Sequence, residues 1–127
     1  MDGRLLLDTD VLVEYLRGWQ KAVKYLESLT ADLYISVISV AELFAGVKGE
    51  EEERSLEQFL LVFTALPVTE RVARLGGLYR LEYRPSHGTG LADALIAATA
   101  EENGFSLVTF NQRHFPMVSE VTVPYER

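Results

Sequence analysis

Leu5-Leu6-Leu7-Asp8-Thr9-Asp10 runs three leucines into two carboxylates that flank a threonine. The leucines have the polarity and length of a short buried strand. A carboxylate is costly inside an apolar core unless it is paired, hydrogen-bonded or bound to a metal. Asp8 therefore belongs at the strand's end, at the mouth of a crevice. Open α/β sheets gather their ligands there, outside the carboxyl ends of the strands. The strand is assigned to Leu5–Asp8. A helix follows from Asp10, which reads as its N-cap, with Val11, Leu12, Tyr15 and Leu16 on one stripe.

Further along, Gly18 interrupts this pattern. Ala22, Val23, Leu26 and Leu29 predict a second helix over Trp19–Leu29. Leu33–Val37 reads as strand two and Ser39–Val47 as a helix ending near Gly49. The tract Glu50–Glu53 opens a helix whose Leu56, Phe59, Leu60 and Phe63 share a face. Leu66-Pro67-Val68 reads as an edge strand, because proline cannot donate to a ladder. Thr69 or Glu70 opens a helix that turns Val72, Leu75, Gly76, Tyr79 and Tyr83 inward. Arg84–Gly90, rich in Pro and Gly, reads as a break. Leu91–Glu102 is an alanine-rich helix closed by Asn103-Gly104. Phe105–Thr109 is a buried strand, Asn111–Phe115 a turn of helix before Pro116, and Val121–Val123 a last short strand. Strands separated by helices predict one α/β domain over residues 1–127, with a mainly parallel sheet of about four to five short strands. Right-handed crossovers bring Asp8, Val37 and Thr109 to one edge of it.

A chain of 127 residues with no cysteine excludes disulfides and thiolate metal sites. No apolar run approaches the ~20 residues needed to span a bilayer, and the N-terminus lacks the pattern of a signal peptide. A soluble cytoplasmic protein with no membrane partner is expected. The net charge of −7 disfavours non-specific nucleic-acid binding, but four of the negatives are the Glu50–Glu53 tract, which suits a solvated helix start. The rest of the chain is only mildly acidic, so charge alone does not decide the partner.

Glu42, Asp93 and Asn111 join Asp8 at the same sheet edge: one turn into the helix after strand two, near the start of the alanine-rich helix, and just past the Phe105–Thr109 strand. All are hard oxygen donors, which select Mg²⁺ or Mn²⁺ over zinc or copper. Each also has a structural reading. Ser39-x-x-Glu42 has capping-box spacing, Asp93 suits a helix N-terminus, Asn111 suits a turn, and Asp10 reads as a cap before it reads as a ligand. Asp8 is hardest to dismiss, since it directly follows an apolar strand. Clustered carboxylates repel, and at least one should hold its proton unless a cation intervenes. A cation that neutralises them can also meet a phosphodiester.

The chain resembles the PIN domain, and specifically the VapC-type toxins of toxin–antitoxin pairs. Four segments carry the resemblance: Leu6-Leu7-Asp8-Thr9-Asp10-Val11-Leu12, Ile35-Ser36-Val37-Ile38-Ser39-Val40-Ala41-Glu42-Leu43-Phe44-Ala45-Gly46, Ala92-Asp93-Ala94-Leu95-Ile96-Ala97-Ala98-Thr99-Ala100 and Leu107-Val108-Thr109-Phe110-Asn111-Gln112-Arg113-His114-Phe115. The resemblance implies a three-layer α/β/α fold and a Mg²⁺-dependent endoribonuclease (Mn²⁺ as substitute). Asp8, Glu42 and Asp93 would be its acidic core and metal ligands. Asn111 falls near the family's fourth acidic position, and His114 stands where many relatives have aspartate. This departure bears on whether one metal or two would bind. By the same analogy Thr9 and Thr109 support the site, Asp10 reaches it from behind, and Glu42 positions or deprotonates the attacking water. A VapB-like antitoxin and a homodimer are implied as well, with Trp19, Tyr15 and Phe44 as candidates for the antitoxin's groove or for core.

Arg17, Lys21, Lys24, Arg84 and Arg113 are candidate RNA-phosphate contacts, and His87 and His114 candidate acid–base groups. Two other readings compete. A non-catalytic RNA- or protein-binding module could use the same scaffold. A haloacid-dehalogenase-type phosphatase would use Asp8 as nucleophile, but Leu12 is apolar, the last lysine is Lys48, and no acidic pair closely follows Asp93.

Overall fold

The computed structural model describes residues 3–127. The elements run β1 Arg4–Leu7, α1 Thr9–Leu16, α2 Gln20–Ser28, β2 Asp32–Ser36, α3 Val37–Ala45, α4 Glu50–Leu60, β3 Thr64–Leu66, α5 Glu70–His87, α6 Leu91–Asn103, β4 Ser106–Val108, a 3-10 turn Gln112–His114, and β5 Val121–Thr122. The five strands form one parallel sheet in the order β3-β2-β1-β4-β5. The expected three-layer α/β/α architecture is present. Among the described residues no helix is long and apolar enough to cross a membrane.

Side chains alternate across a strand, and the centre of β1 shows the consequence. Leu6 packs with Leu107, Ile96, Ala97, Ala100 and Phe115 on one side of the sheet. Leu7 packs with Val11, Leu12, Ile35, Leu43, Leu56 and Val108 on the other. Gly76 lets α5 approach α6 closely at Leu95. A Cβ added at Gly76 would lie 2.7 Å from Leu95 Cδ2 and 3.2 Å from Leu95 Cα, so this position accepts little beyond hydrogen.

Several boundaries differ from the sequence reading. Asp10 does not cap α1. Asp8 does, its carboxylate accepting the Thr9 N–H, and Asp10 lies inside the first turn. The helix begins earlier because Asp8 is the first residue past the ladder with a side chain able to take an orphan N–H. Ser39 and Glu42 form no capping box: Ser36 caps α3 by accepting from the Ile38 N–H, and Ser39 is buried within the helix. Val37 accordingly belongs to α3, not to strand two. The edge strand is Thr64–Leu66 and stops before Pro67, which could not have donated to the ladder.

The break expected at Arg84–Gly90 begins only at Gly88. Helix α5 passes through exposed Pro85 and ends at His87, where Gly88 takes the left-handed conformation (φ 69°) that favours glycine. Proline so near a helix end forfeits one hydrogen bond without disturbing a packed turn.

Candidate active site

Asp8 stands where β1 leaves the sheet, its N–H still donating to the Val108 carbonyl at 2.9 Å. Its carboxylate is fixed on both sides. Oδ1 accepts the Thr9 N–H at 2.7 Å, and Oδ2 accepts the Thr109 hydroxyl at 2.7 Å. Thr109, the residue after β4, is wholly buried and receives the Asn111 N–H at 3.0 Å. Its hydroxyl also lies 3.3 Å from Asp10 Oδ2, which accepts the Phe110 N–H at 3.1 Å. Two neighbouring strand ends thus hold two carboxylates side by side.

That arrangement is electrostatically costly. Burial, then repulsion from Asp10, pushes the Asp8 carboxyl up from 3.8 to about 7, against the Thr109 hydroxyl and Thr9 N–H, which pull it down. Burial raises Asp10 as well, against the Phe110 N–H and the Arg127 charge. Asp10 Oδ1 is buried without a hydrogen-bond partner among the described residues, a state that native structures rarely leave unexplained.

The facing wall comes from helices. Glu42 on α3 is exposed, and its Oε1 accepts the Thr9 hydroxyl at 2.7 Å. Thr9 Oγ1 also lies 2.7 Å from Ser39 Oγ. A hydroxyl has one proton, so Ser39 donates to Thr9 while Thr9 donates to Glu42. Asp93, in the first turn of α6, has Oδ2 2.9 Å from His114 Nδ1, and Asn111 Nδ2 is 2.7 Å from the same nitrogen. Nδ1 serves one of them at a time: protonated, it donates to Asp93; unprotonated, it accepts from Asn111.

Between the walls lies a cleft of about 340 Å³, lined by Asp8, Thr9, Asp10, Val13, Glu14, Arg17, Glu42, Asp93, Asn111 and Arg127. The proposed acidic core is thus gathered, with Asn111 beside it and Thr109 beneath. Of the candidate phosphate contacts only Arg17 lines the cleft. Lys21 lines a neighbouring groove and donates to the Glu126 carbonyl, and Arg113 Nη2 lies 3.4 Å from the Ser86 carbonyl oxygen. Lys24 and Arg84 are exposed and outside the cleft lining, and His87 is bonded to the Ser86 hydroxyl. Tyr15 stacks on Phe59 and, with Phe44, packs against the core, whereas Trp19 is 59% exposed.

Three participants were missed in the sequence. One is Ser39, whose spacing to Glu42 suggests a cap. Glu14 follows Asp10 by one helical turn on the same face, a spacing that could have pointed to it. Arg127 is brought in by the C-terminal segment, for which no local pattern gives a signal.

Whether a cation suits this place can be asked of the residues themselves. The donors are oxygens, Asp8 is held back from ionising by burial and by a like charge, and Asp10 Oδ1 has no partner. A cation relieves all of these. No group of three or more His, Asp or Glu side chains among the described residues is disposed to hold one ion between them. Glu42 is turned to Thr9 and Asp93 to His114. Mg²⁺ keeps several waters and takes only one or two carboxylates directly, so carboxylates that line one cleft without closing on a point still fit it.

Residues 5–120 match the PIN domain family. The chain is 42% identical to ribonuclease VapC10 of Mycobacterium tuberculosis over 124 residues, covering 95% of this chain and 92% of that protein. It is 40% identical to ribonuclease VapC19 of the same species, over 94% of this chain and 98% of the relative. Among solved structures, a toxin–antitoxin complex from Klebsiella pneumoniae contains a chain that superimposes with a TM-score of 0.83 at 28% identity, covering 97% of this chain and 99% of that one.

Proposed function

The chain belongs to the PIN-domain family, and from that premise we propose that it is a metal-dependent endoribonuclease, the toxin of a VapBC-type toxin–antitoxin pair. The ribonuclease names of its relatives and their coverage of nearly the whole chain support the activity. Membership removes the haloacid-dehalogenase alternative. One observation carries the catalytic reading over a non-catalytic module: Asp8, Glu42 and Asp93 line one cleft beside half-buried Asp10, whose buried Oδ1 finds no partner among the described residues.

Asp8 and Asp93 would hold Mg²⁺, or Mn²⁺ in its place, with Glu42 contributing. When bound, the ion would lower the pKa of a water and offset charge developing on the phosphoryl oxygens. Thr109 and the Thr9 N–H orient Asp8 and favour its ionised form. Glu42, oriented by the Ser39–Thr9 relay, is the group to position or accept a proton from the attacking water. Asn111 offers an amide where the family has an acid. It adds an oxygen but no charge, which favours a single tightly held ion over two.

A VapB-like antitoxin is the expected protein partner, as the Klebsiella pneumoniae toxin–antitoxin complex suggests by analogy. Exposed leucines on α5 and at the start of α6, Leu78, Leu81 and Leu91, are apolar surface of the kind a second copy covers in a homodimer. Cytoplasmic action on RNA is part of the same reading.

The test is cleavage of a defined single-stranded RNA panel with Mg²⁺, with Mn²⁺ and with EDTA. Cleavage should require the metal and should be lost in folded Asp93→Asn protein. Undiminished cleavage in EDTA would defeat the proposal.

A further inference from the structure

Arg127 occupies a position that the acidic site does not explain. It lines the acidic cleft and also a neighbouring, largely apolar groove of about 410 Å³ that includes Trp19 and Tyr125. Its guanidinium is held twice. Nη1 is 3.2 Å from Glu14 Oε2, and the guanidinium carbon sits 4.2 Å from the centre of the Phe110 ring. Glu14 is itself buried and is reached by the Tyr125 hydroxyl at 3.4 Å. A planar cation fixed by a carboxylate and an aromatic face loses little further freedom when it takes another ligand. Half of the side chain, 51%, remains exposed, and a guanidinium carries five N–H donors.

The surroundings say what that ligand is. Five carboxylates line the cleft, and they repel a polyanionic strand unless fixed cations lie on its path. Arg127 is paired with Glu14 rather than with Asp8, Glu42 or Asp93, so it stays at the rim and leaves those acids to a metal. Arg17 stands on another approach, where the cleft adjoins the groove between α1, α3 and α4. The two flanking grooves share no residue with each other, and each shares an arginine with the cleft. Beyond Arg127, Trp19 is exposed and offers a ring face of the kind on which single-stranded bases stack, and half-buried Tyr125, packed edge-on to Phe110, lines the same groove.

We propose that Arg127 is a substrate-binding residue, gripping the RNA phosphate next to the scissile one and directing its base toward the Trp19–Tyr125 groove. The inference rests on the ribonuclease reading and adds a residue and a strand path to it. A bidentate guanidinium–phosphate contact is charge-assisted and geometrically selective, which suits registering a strand over a metal site.

The experiment compares wild type, Arg127→Ala, Arg127→Lys and Glu14→Gln. Binding of a short single-stranded RNA is followed by fluorescence anisotropy in EDTA across a salt series, and cleavage is followed in Mg²⁺. Arg127→Ala should weaken RNA binding about ten-fold and reduce the magnitude of the salt slope by about 0.7, the value of one single-strand phosphate contact. Its KM should rise by a similar factor while kcat stays within a few-fold. Arg127→Lys should keep the slope and recover part of the affinity. Glu14→Gln should weaken binding with the slope unchanged, because the charge is still present but less well held.

If Arg127 merely pins residues 125–127 to α1, Arg127→Ala will lower the melting temperature while leaving affinity and slope at wild-type values, and the proposal is overturned. Loss of binding to the cognate antitoxin with RNA binding unchanged would assign the groove to a protein segment and overturn it equally. Wild-type protein that neither binds nor cleaves RNA removes the ribonuclease reading together with this one. Wild-type cleavage with an indifferent Arg127→Ala removes this one alone.

Discussion

Asp8 and Asp10 are anchored by strand ends, whereas Glu42 and Asp93 are carried on helices and held by other side chains. The first pair is sunk against the sheet, fixed by the backbone N–H groups of Thr9 and Phe110 and by the buried Thr109 hydroxyl. Of the second pair Glu42 is exposed and Asp93 half-buried, and they are restrained through Thr9 and His114. Backbone at a strand end cannot rearrange without breaking the ladder. A side-chain relay can rearrange by a rotamer change. One wall is therefore preorganised at an electrostatic cost, and the other is adjustable at little cost. A cation entering the cleft would meet a rigid half whose charge it offsets and a second half whose side chains could turn toward it by a change of rotamer.

The largest effect is expected on the rigid wall. Asp8→Asn should reduce metal-dependent cleavage to background, yet it should stabilise the metal-free fold. Folded Asp8 keeps its proton up to about pH 7, while an unstructured carboxyl releases it near 3.8. Between those values the folded state binds more protons, so stability falls as pH rises, and the full penalty is present above about pH 7. An amide carries no such penalty, and it can still accept from the Thr9 N–H and donate to Thr109. In EDTA at pH 8 the variant should melt above wild type, and the gap should close below pH 4. Added Mg²⁺ should raise the melting temperature of wild type only. A variant less stable than wild type at pH 8 in EDTA would mean that Asp8 is not the strained member of the pair.

The adjustable wall should behave otherwise. Glu42→Gln is expected to lower kcat by about 10²–10⁴-fold, the usual range for a positioned general base. Because Glu42 is exposed and, among the described residues, bonded through Thr9 alone, thermal stability should change little at any pH. Loss of activity accompanied by a large stability change would erase the distinction between the walls.

How far this site could be read in the sequence follows the same division. The run of leucines into Asp8, the alanine-rich helix closed by Asn103-Gly104, and the Phe105–Thr109 strand are local signals, and they placed the parallel sheet and the edge where Asp8, Glu42, Asp93 and Asn111 meet. What escaped depends on contacts between distant segments. Asp10 looks like a cap because a carboxylate at a helix start usually is one; only the arrival of Phe110 and Thr109 shows that its Oδ2 is bonded to the end of β4 instead. Ser39 looked like a cap three residues before a glutamate, until Ser36 took that role and left Ser39 facing Thr9. Arg127 lies 113 residues from Glu14, and no periodicity connects them. Pro85 illustrates the opposite error: a strong local breaker suggests a break from Arg84, and the helix runs on to His87, so that the break starts four residues later, at Gly88.

Thr109 tests the rigid wall from beneath. Thr109→Val keeps the shape and removes the hydroxyl that Asp8 and Asp10 share. It also strands the Asn111 N–H, which donates to that oxygen. Losing an outer partner of a metal-binding carboxylate typically costs about 10–100-fold in metal affinity or activity, and a buried group left without its partner costs about 1–3 kcal/mol. Both effects should appear together, as a higher Mg²⁺ requirement and a lower melting temperature.

Ser39→Ala is the corresponding removal behind the adjustable wall, and its effect should be the smallest. Ser39 donates to Thr9, which is left with its bond to Glu42 and can keep it without help. The lost bond is between neutral hydroxyls, worth about 1 kcal/mol, and the alanine that replaces it favours the interior of α3. Cleavage should fall by no more than a few-fold, in kcat rather than in the Mg²⁺ requirement, and thermal denaturation should barely move. A Ser39→Ala variant as impaired in metal use as Thr109→Val would show that the Thr9 relay is as rigid as the strand ends, and the contrast between the two walls would then lie in their burial alone.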